Sequence, residues 1–238
     1  MHFRKILFAF LILLGGCSID DDPSASIFTA SFDFSESLDD WQADFAELPA
    51  GEDDSAFYEL RYAYTNLPQN LGSKKALMLS GNNHSDDLFM FIKRKITGLV
   101  PNTTYTLVFE VQLASNAPQG SVGAGGSPGG SVFLKAGASK VEPAKTVENG
   151  RYVLNIDKGN QSTSGQNAIV LGDIAIPANT TDYTLISRSN VASSYGPLFM
   201  AETNSEGEIW LVVGTDSGFE GITTLYYTRI NIVFSAPY

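Results

Sequence analysis

In TTYTLVFEVQLAS, residues 103–115, Tyr105, Leu107, Phe109, Val111 and Leu113 alternate with Thr104, Thr106, Val108, Glu110 and Gln112. A period of two is the repeat of a pleated strand with one buried and one wetter face. EIWLVVGT (208–215) and TTLYYTRINIVFSA (223–236) follow the same rule. Seven more segments read as strands: 26–35, 56–65, 75–81, 88–98, 130–137, 151–158 and 168–176. Strands bounded by Gly, Asn, Asp and Pro at this density predict an all-β chain, an antiparallel two-sheet β-sandwich. Only 17% of residues are charged, which suits short strands joined by many turns. Helix signals are nearly absent. In DDWQADFAEL (39–48), Trp41, Phe45 and Leu48 have helical spacing, so one turn fits there, and the segment reads as loop. No repeat of solenoid length is visible, and no linker divides residues 27–238, which predicts a single domain.

The first residues carry an address. MHFRKILFAFLILLGGC has a basic start at Arg4 and Lys5, an apolar run from Ile6 to Leu14, and small residues before Cys17. That is the layout of a secretory signal peptide, with an apolar run too short for a permanent span. Leu14-Gly15-Gly16-Cys17 resembles the bacterial lipobox. The resemblance implies removal of residues 1–16 and acylation of Cys17, which would hold the protein to a membrane. Cys17 is the only cysteine, so no disulfide is possible within the chain and the core must hold the fold. Ser18 follows directly, where lipoproteins retained at the inner membrane have Asp. The outer membrane is therefore implied. The acidic run Asp20-Asp21-Asp22 resembles the export signal of surface lipoproteins in Bacteroidetes-type bacteria. It also reads as a solvated tether over 17–26, so surface-facing and periplasm-facing placements both stand. A formal charge of −11 argues against nucleic acid, because nothing here would neutralise phosphates.

Three segments resemble galactose-binding-domain-like jelly rolls, a fold used by many carbohydrate-binding modules. FDFSESLDDW (32–41) is similar to their opening strand, ITGLVPNTTYTLVFEV (96–111) to their middle segment, and LYYTRINIVF (225–234) to their last strand. The resemblance implies two antiparallel sheets packed face to face and, in several members, a structural calcium between the first and last strands. Such members often have Asp where this chain has Thr228. Asp33 and Glu36 are the remaining oxygen donors, a poor set for a hard cation. No other cofactor is implied.

GNNHSDDLFMF (81–91) holds the only histidine outside the leader. His84, Ser85 and Asp86 are the residue types of a hydrolase triad, but triad members converge from separate segments. No Gly-x-Ser-x-Gly elbow is present, and one histidine makes a poor zinc site. The stretch reads either as turn chemistry or as a contact for a ligand or cation. DKGNQSTSGQN (157–167) and GTDSGFEG (214–221) share its composition, and all three begin at the end of an apolar strand. They are either separate hairpin turns or one converging patch. The patch reading nominates Asn82, Asn83, His84, Asp86, Asp87, Asp157, Asn160, Asp216, Phe219 and Glu220, with Trp41 as a stacking face. Tyr195 is a further aromatic candidate, and Trp210, within a strand, reads as core.

APQGSVGAGGSPGGS (117–131) lacks the ending of a phosphate-binding loop and reads as a flexible connection or a lid. Asp54-Ser55-Ala56 resembles a three-residue O-glycosylation motif. The functional expectation is a non-catalytic envelope lipoprotein that binds a glycan or other polar ligand through loops at one end of the sandwich. Two alternatives accompany it: an envelope assembly protein that recognises a protein partner through a sheet face, and a glycoside hydrolase built on two of Asp86, Asp157, Asp216 and Glu220.

Overall fold

The structure, a computed structural model, describes residues 27–51, 54–191 and 198–236. The leader, Cys17, the acidic tether and Tyr195 lie outside the described residues. The chain forms an antiparallel two-sheet β-sandwich. The larger sheet is centred on β7 (Thr104–Ser115) beside β15 (Ile222–Ser235). Two strands share the other edge of β15 end to end: β1 (Ile27–Asp33) and β5 (Lys75–Asn82). β4 (Arg61–Asn66) pairs with β5. The other edge of β7 is divided in the same way between β12 (Thr184–Ser189) and β13 (Phe199–Glu202).

The second sheet runs β11 (Ala168–Asp173), β8 (Val132–Ser139), β14 (Ile209–Ser217), β6 (Leu88–Ile96) and β2 (Gln42–Ala46). A small third sheet joins β3 (Leu48–Pro49), β10 (Arg151–Leu154) and β9 (Lys145–Glu148).

The alternation on β7 does what its pattern requires. Leu107, Phe109, Val111 and Leu113 are fully buried, packed in one cluster with Met90, Ile92, Leu134, Leu211 and Val213 of the second sheet. Leu88, Phe89, Met90, Phe91 and Ile92 are buried without alternation, because the second sheet is covered on both faces. Ala46, Leu154, Ile156 and Ala168 seal Phe89, Phe91 and Val212 on its outer side.

Several expectations need correction. Residues 39–48 are not loop: they contain β2 and β3, separated by Glu47 at φ 62°. Trp41 is 4% exposed, with its ring edge-on to Phe32 and Phe34, so it is core and no stacking face for a ligand. The expected strand 56–65 begins only at Arg61, after a helical turn over Asp54–Phe57 and a left-handed Glu59. The strand expected over 151–158 ends at Leu154, and that over 168–176 ends at Asp173. β9, β12 and β13 had no counterpart among the strands expected from sequence. Trp210 is half-buried rather than core, on the outer face of the second sheet between the ammonium groups of Lys93 and Lys95.

The register fixes two ends. Ile27 lies opposite Ser235 at one end of β15, and Asn82 lies opposite Ile222 at the other. Loops 81–87, 157–167 and 214–221 belong to the second end. Between them β15 bulges at Thr228, whose carbonyl accepts the Phe34 amide at 2.9 Å and whose hydroxyl reaches Gln112 Oε1 at 2.9 Å.

Candidate functional site

The three polar loops do meet. The Asn83 side-chain amide donates to the carbonyls of Ser217 and Phe219 at 2.8 and 3.0 Å, and the Asn83 backbone amide donates to the Gly221 carbonyl. Gln161 donates its backbone amide to Asp216 Oδ2 at 2.8 Å and its side-chain amide to the Asp86 carbonyl at 3.0 Å. Segments far apart in sequence are thereby cross-linked into one surface.

The same bonds show what the nominated residues do. Asn83 is 2% exposed and Asp216 is fully buried, so neither reaches a ligand in solvent. Asn83 Oδ1 accepts the Ser85 amide, and Asp86 adopts φ 60°, which makes 83–86 a tight turn. Asn82 donates to Glu59 Oε1 at 2.9 Å. Asp157 is exposed, yet its two oxygens accept the backbone amides of Gly159 and Gln166. Those amides hold its carboxyl below the ordinary range. His84 is exposed and stacks against Phe57 with ring centroids 4.2 Å apart, and edge-on to Tyr58. Asn160, Asp86 and Glu220 remain exposed around this surface. The turn reading of 81–91 therefore accounts for most of the stretch.

Beneath loop 157–167 lies a charge cluster that reasoning from sequence missed. Asp216 Oδ2 is 3.0 Å from Lys135 Nζ and 2.8 Å from Lys158 Nζ. Asp87 lies two residues before Phe89, the register partner of Asp216, at the start of the neighbouring strand, and burial pushes its carboxyl up to about 6 against the pull of the Lys158 ammonium. One signal was present: a lysine in the apolar run VFLKAG requires a buried partner.

At the same end of the sandwich, where β7 ends and β15 begins, is a cavity of about 280 Å³. The half-buried ring of Phe219 forms one wall. Ser115, Asn116, Thr223 and Thr224 offer polar groups, and Ala117, Pro118, Pro128, Ile174 and Ile222 complete the lining. Part of the rim is the glycine-rich stretch 117–131, which is fastened in place rather than a flexible connection. Glu220 donates its amide to the Ala124 carbonyl, Gly218 to Ser131, and Gln119 to Ile176. Gly123 lies so close to Phe219 that a β-carbon there would sit 2.4 Å from the ring and 2.9 Å from the Gly126 carbonyl, so any side chain would displace the ring from the cavity wall.

A second surface carried no signal in the sequence. On the outer face of the larger sheet, Ser31, Asn231, Glu110 and Ser189 form one row across four strands. Asp33, Arg229, Gln112 and Ser187 form the next. Ser31 donates to Asn231, Asn231 to Glu110, and Arg229 to Asp33 at 2.7 Å. Arg229 holds the Asp33 carboxyl down at about 2, aided by Ser35. Asp33 is thus engaged by a cation, while Glu36 is exposed. Among the described residues no group of three or more acidic, histidine or cysteine side chains could hold a metal ion.

No family model matches this chain, and no curated protein matches it. Among solved structures, it is similar to a carbohydrate-binding module that recognises mannan, at 11% identity and a TM-score of 0.41, over 88% of this chain and 98% of that one. A family 11 carbohydrate-binding module from Clostridium thermocellum is similar at 10% identity and a TM-score of 0.39, over 87% and 95%. A xylan-binding domain from Paenibacillus barcinonensis is similar at 10% identity and a TM-score of 0.36, over 89% and 96%.

Proposed function

We propose that this protein is a non-catalytic recognition protein of the bacterial outer envelope, anchored through an acylated Cys17, that binds a glycan at the loop end of its sandwich. The observation that carries the reading is the cavity walled by Phe219. Its mix of one aromatic face with amide and hydroxyl groups suits a sugar ring, which has an apolar face and a polar edge. Among the described residues the lining contains no carboxylate, histidine or cysteine, which supports binding over bond-breaking. None of the four acids nominated for a hydrolase, Asp86, Asp157, Asp216 and Glu220, lines this cavity; Asp157 caps its own loop, and Asp216 is sealed under two lysines. An acyl anchor ahead of Ile27 would attach the sandwich at the end remote from the cavity.

Titration calorimetry of residues 27–238 with a panel of neutral oligosaccharides tests the reading. Binding is expected, and Phe219→Ala is expected to weaken it by about tenfold or more, the worth of removing an aromatic contact face. An absence of heat across a broad panel would overturn it.

The polar rows on the larger sheet favour a second reading, in which that face recognises an envelope protein. They are pre-ordered by hydrogen bonds and flanked by exposed Val191 and Leu185. Recovery of one stoichiometric partner from solubilised envelopes, lost on Arg229→Ala, would favour this reading.

A further inference from the structure

The cluster beneath loop 157–167 has a feature that ion pairing leaves unexplained. Lys135 faces Gly214 and Asp216 faces Phe133 on adjacent antiparallel strands, so the two side chains are diagonal neighbours on one face. Lys135 is 1% exposed and Asp216 not at all. Lys135 Nζ is held by the carbonyls of Lys158 and Thr163 at 2.8 and 3.0 Å, and lies 3.0 Å from Asp216 Oδ2. Asp216 Oδ2 also receives Lys158 Nζ and the Gln161 amide, both at 2.8 Å. Asp216 Oδ1 is buried and receives no donor from the described residues, and the same is true of Asp87 Oδ1. Buried carboxylate oxygens without donors are costly and uncommon.

We propose that Lys135 and Asp216 become joined by an isopeptide bond between Lys135 Nζ and Asp216 Cγ, with Asp87 relaying the protons. The bond removes the orphaned oxygen. Nζ attacks Cγ, while Lys158 and the Gln161 amide stabilise the charge that develops on Oδ2. The Cγ–Oδ1 bond then breaks and Oδ1 leaves as water. An ammonium and a carboxylate become one amide and one water: of the three ammonium protons, one stays on the amide nitrogen and two depart with the water. Asp87 takes the two protons in turn, the first from the ammonium to free the attacking amine and the second after attack, delivers each to Oδ1 and ends as it began, so no co-reactant is required.

The surroundings favour each role. Burial lowers the basicity of Lys135, which promotes the free amine that attack requires. Burial raises Asp87 to about 6, in the range where a carboxyl both gives and takes protons near neutrality. The charged groups facing Asp87 are Lys158, Asp216, Glu47, Arg151 and Lys135. Phe89 lies beneath, with Lys158 Nζ 5.2 Å from its ring. A neutral amide suits this apolar floor better than separated charges.

Tryptic digestion of the purified full chain followed by tandem mass spectrometry tests the proposal directly. The expected product is a branched species in which the chain is uncut after Lys135 and linked at Asp216, lighter than its two component peptides by one water. Lys135→Arg should abolish it and Lys158→Arg should retain it. Asp87→Asn should lower its yield at least about tenfold, as expected for loss of a general acid–base group. Quantitative recovery of linear peptides ending at Lys135 from the wild-type chain would overturn the proposal, as would a branch through Lys158. The wild-type digest is decisive by itself, so a variant that fails to fold does not blunt the test.

Discussion

Asn83 places both protons of one side-chain amide on backbone carbonyls of a single distant strand end, Ser217 at 2.8 Å and Phe219 at 3.0 Å. Asn83→Ala removes the side-chain donor to the Ser217 carbonyl and one of the two donors to the Phe219 carbonyl, which keeps the Ser217 hydroxyl at 2.9 Å, and is expected to destabilise the domain by about 1–3 kcal/mol. Urea denaturation checks this, and a shift below half of that range would show that the two loops are held together by other contacts.

Two carboxyls should give opposite pH signatures. The folded-state value of Asp87 lies above its ordinary value, so its contribution to stability is fully present below about 4 and is lost as pH rises through about 6. Asp33 lies at about 2, below its ordinary value. Its contribution is present above about 4 and is lost as pH falls through about 2. Thermal melts from pH 2 to pH 7 should therefore show Asp87→Asn flattening the upper window and Asp33→Asn the lower. A mutant curve parallel to wild type in its own window would refute the assignment.

Gly137 and Gly72 should respond very differently to the same substitution. At Gly137, in the middle of β8, an added β-carbon would lie 1.9 Å from the Asn167 carbonyl oxygen and 2.5 Å from the Ala168 α-carbon. Backbone atoms cannot yield, so Gly137→Ala is expected to cost about 3 kcal/mol or more, or to prevent folding. Gly72 has open space around it and only a φ of 93° to overcome, so Gly72→Ala should cost about 1 kcal/mol. Soluble yield and denaturation midpoints separate the two.

Trp41→Ala removes a buried ring from the cluster with Phe32 and Phe34 and should cost about 3–5 kcal/mol. At a temperature where the variant stays folded, its glycan affinity should match wild type. A selective loss of binding with unchanged stability would return Trp41 to the ligand surface.

What the sequence made legible follows from physical contrast between faces. β7, β14 and β15 could be read because one side of each meets the core, or a second layer, and the residue types record it. β9, Lys145-Thr146-Val147-Glu148, is exposed at every position, so no burial pattern exists to read. β2 was obscured because Trp41, Phe45 and Leu48 all point into apolar surroundings from irregular backbone that includes a left-handed Glu47. The polarity of the three loops was visible, and so was their position at strand ends. That Asn83 would hold the carbonyls of Ser217 and Phe219, and that Asp216 would be engaged by two lysines, was not, because those partners are fixed by register and strand order rather than by local sequence.

β15 has a practical consequence for handling the molecule. From Ile222 to Ser235 it covers about 40 Å at the usual rise per strand residue. A biotin or affinity handle fused ahead of Ile27 therefore stands at the far pole from Phe219. A chip coated through that handle leaves the cavity facing the flow, and a weak response there would report the chemistry of the analyte rather than a blocked entrance.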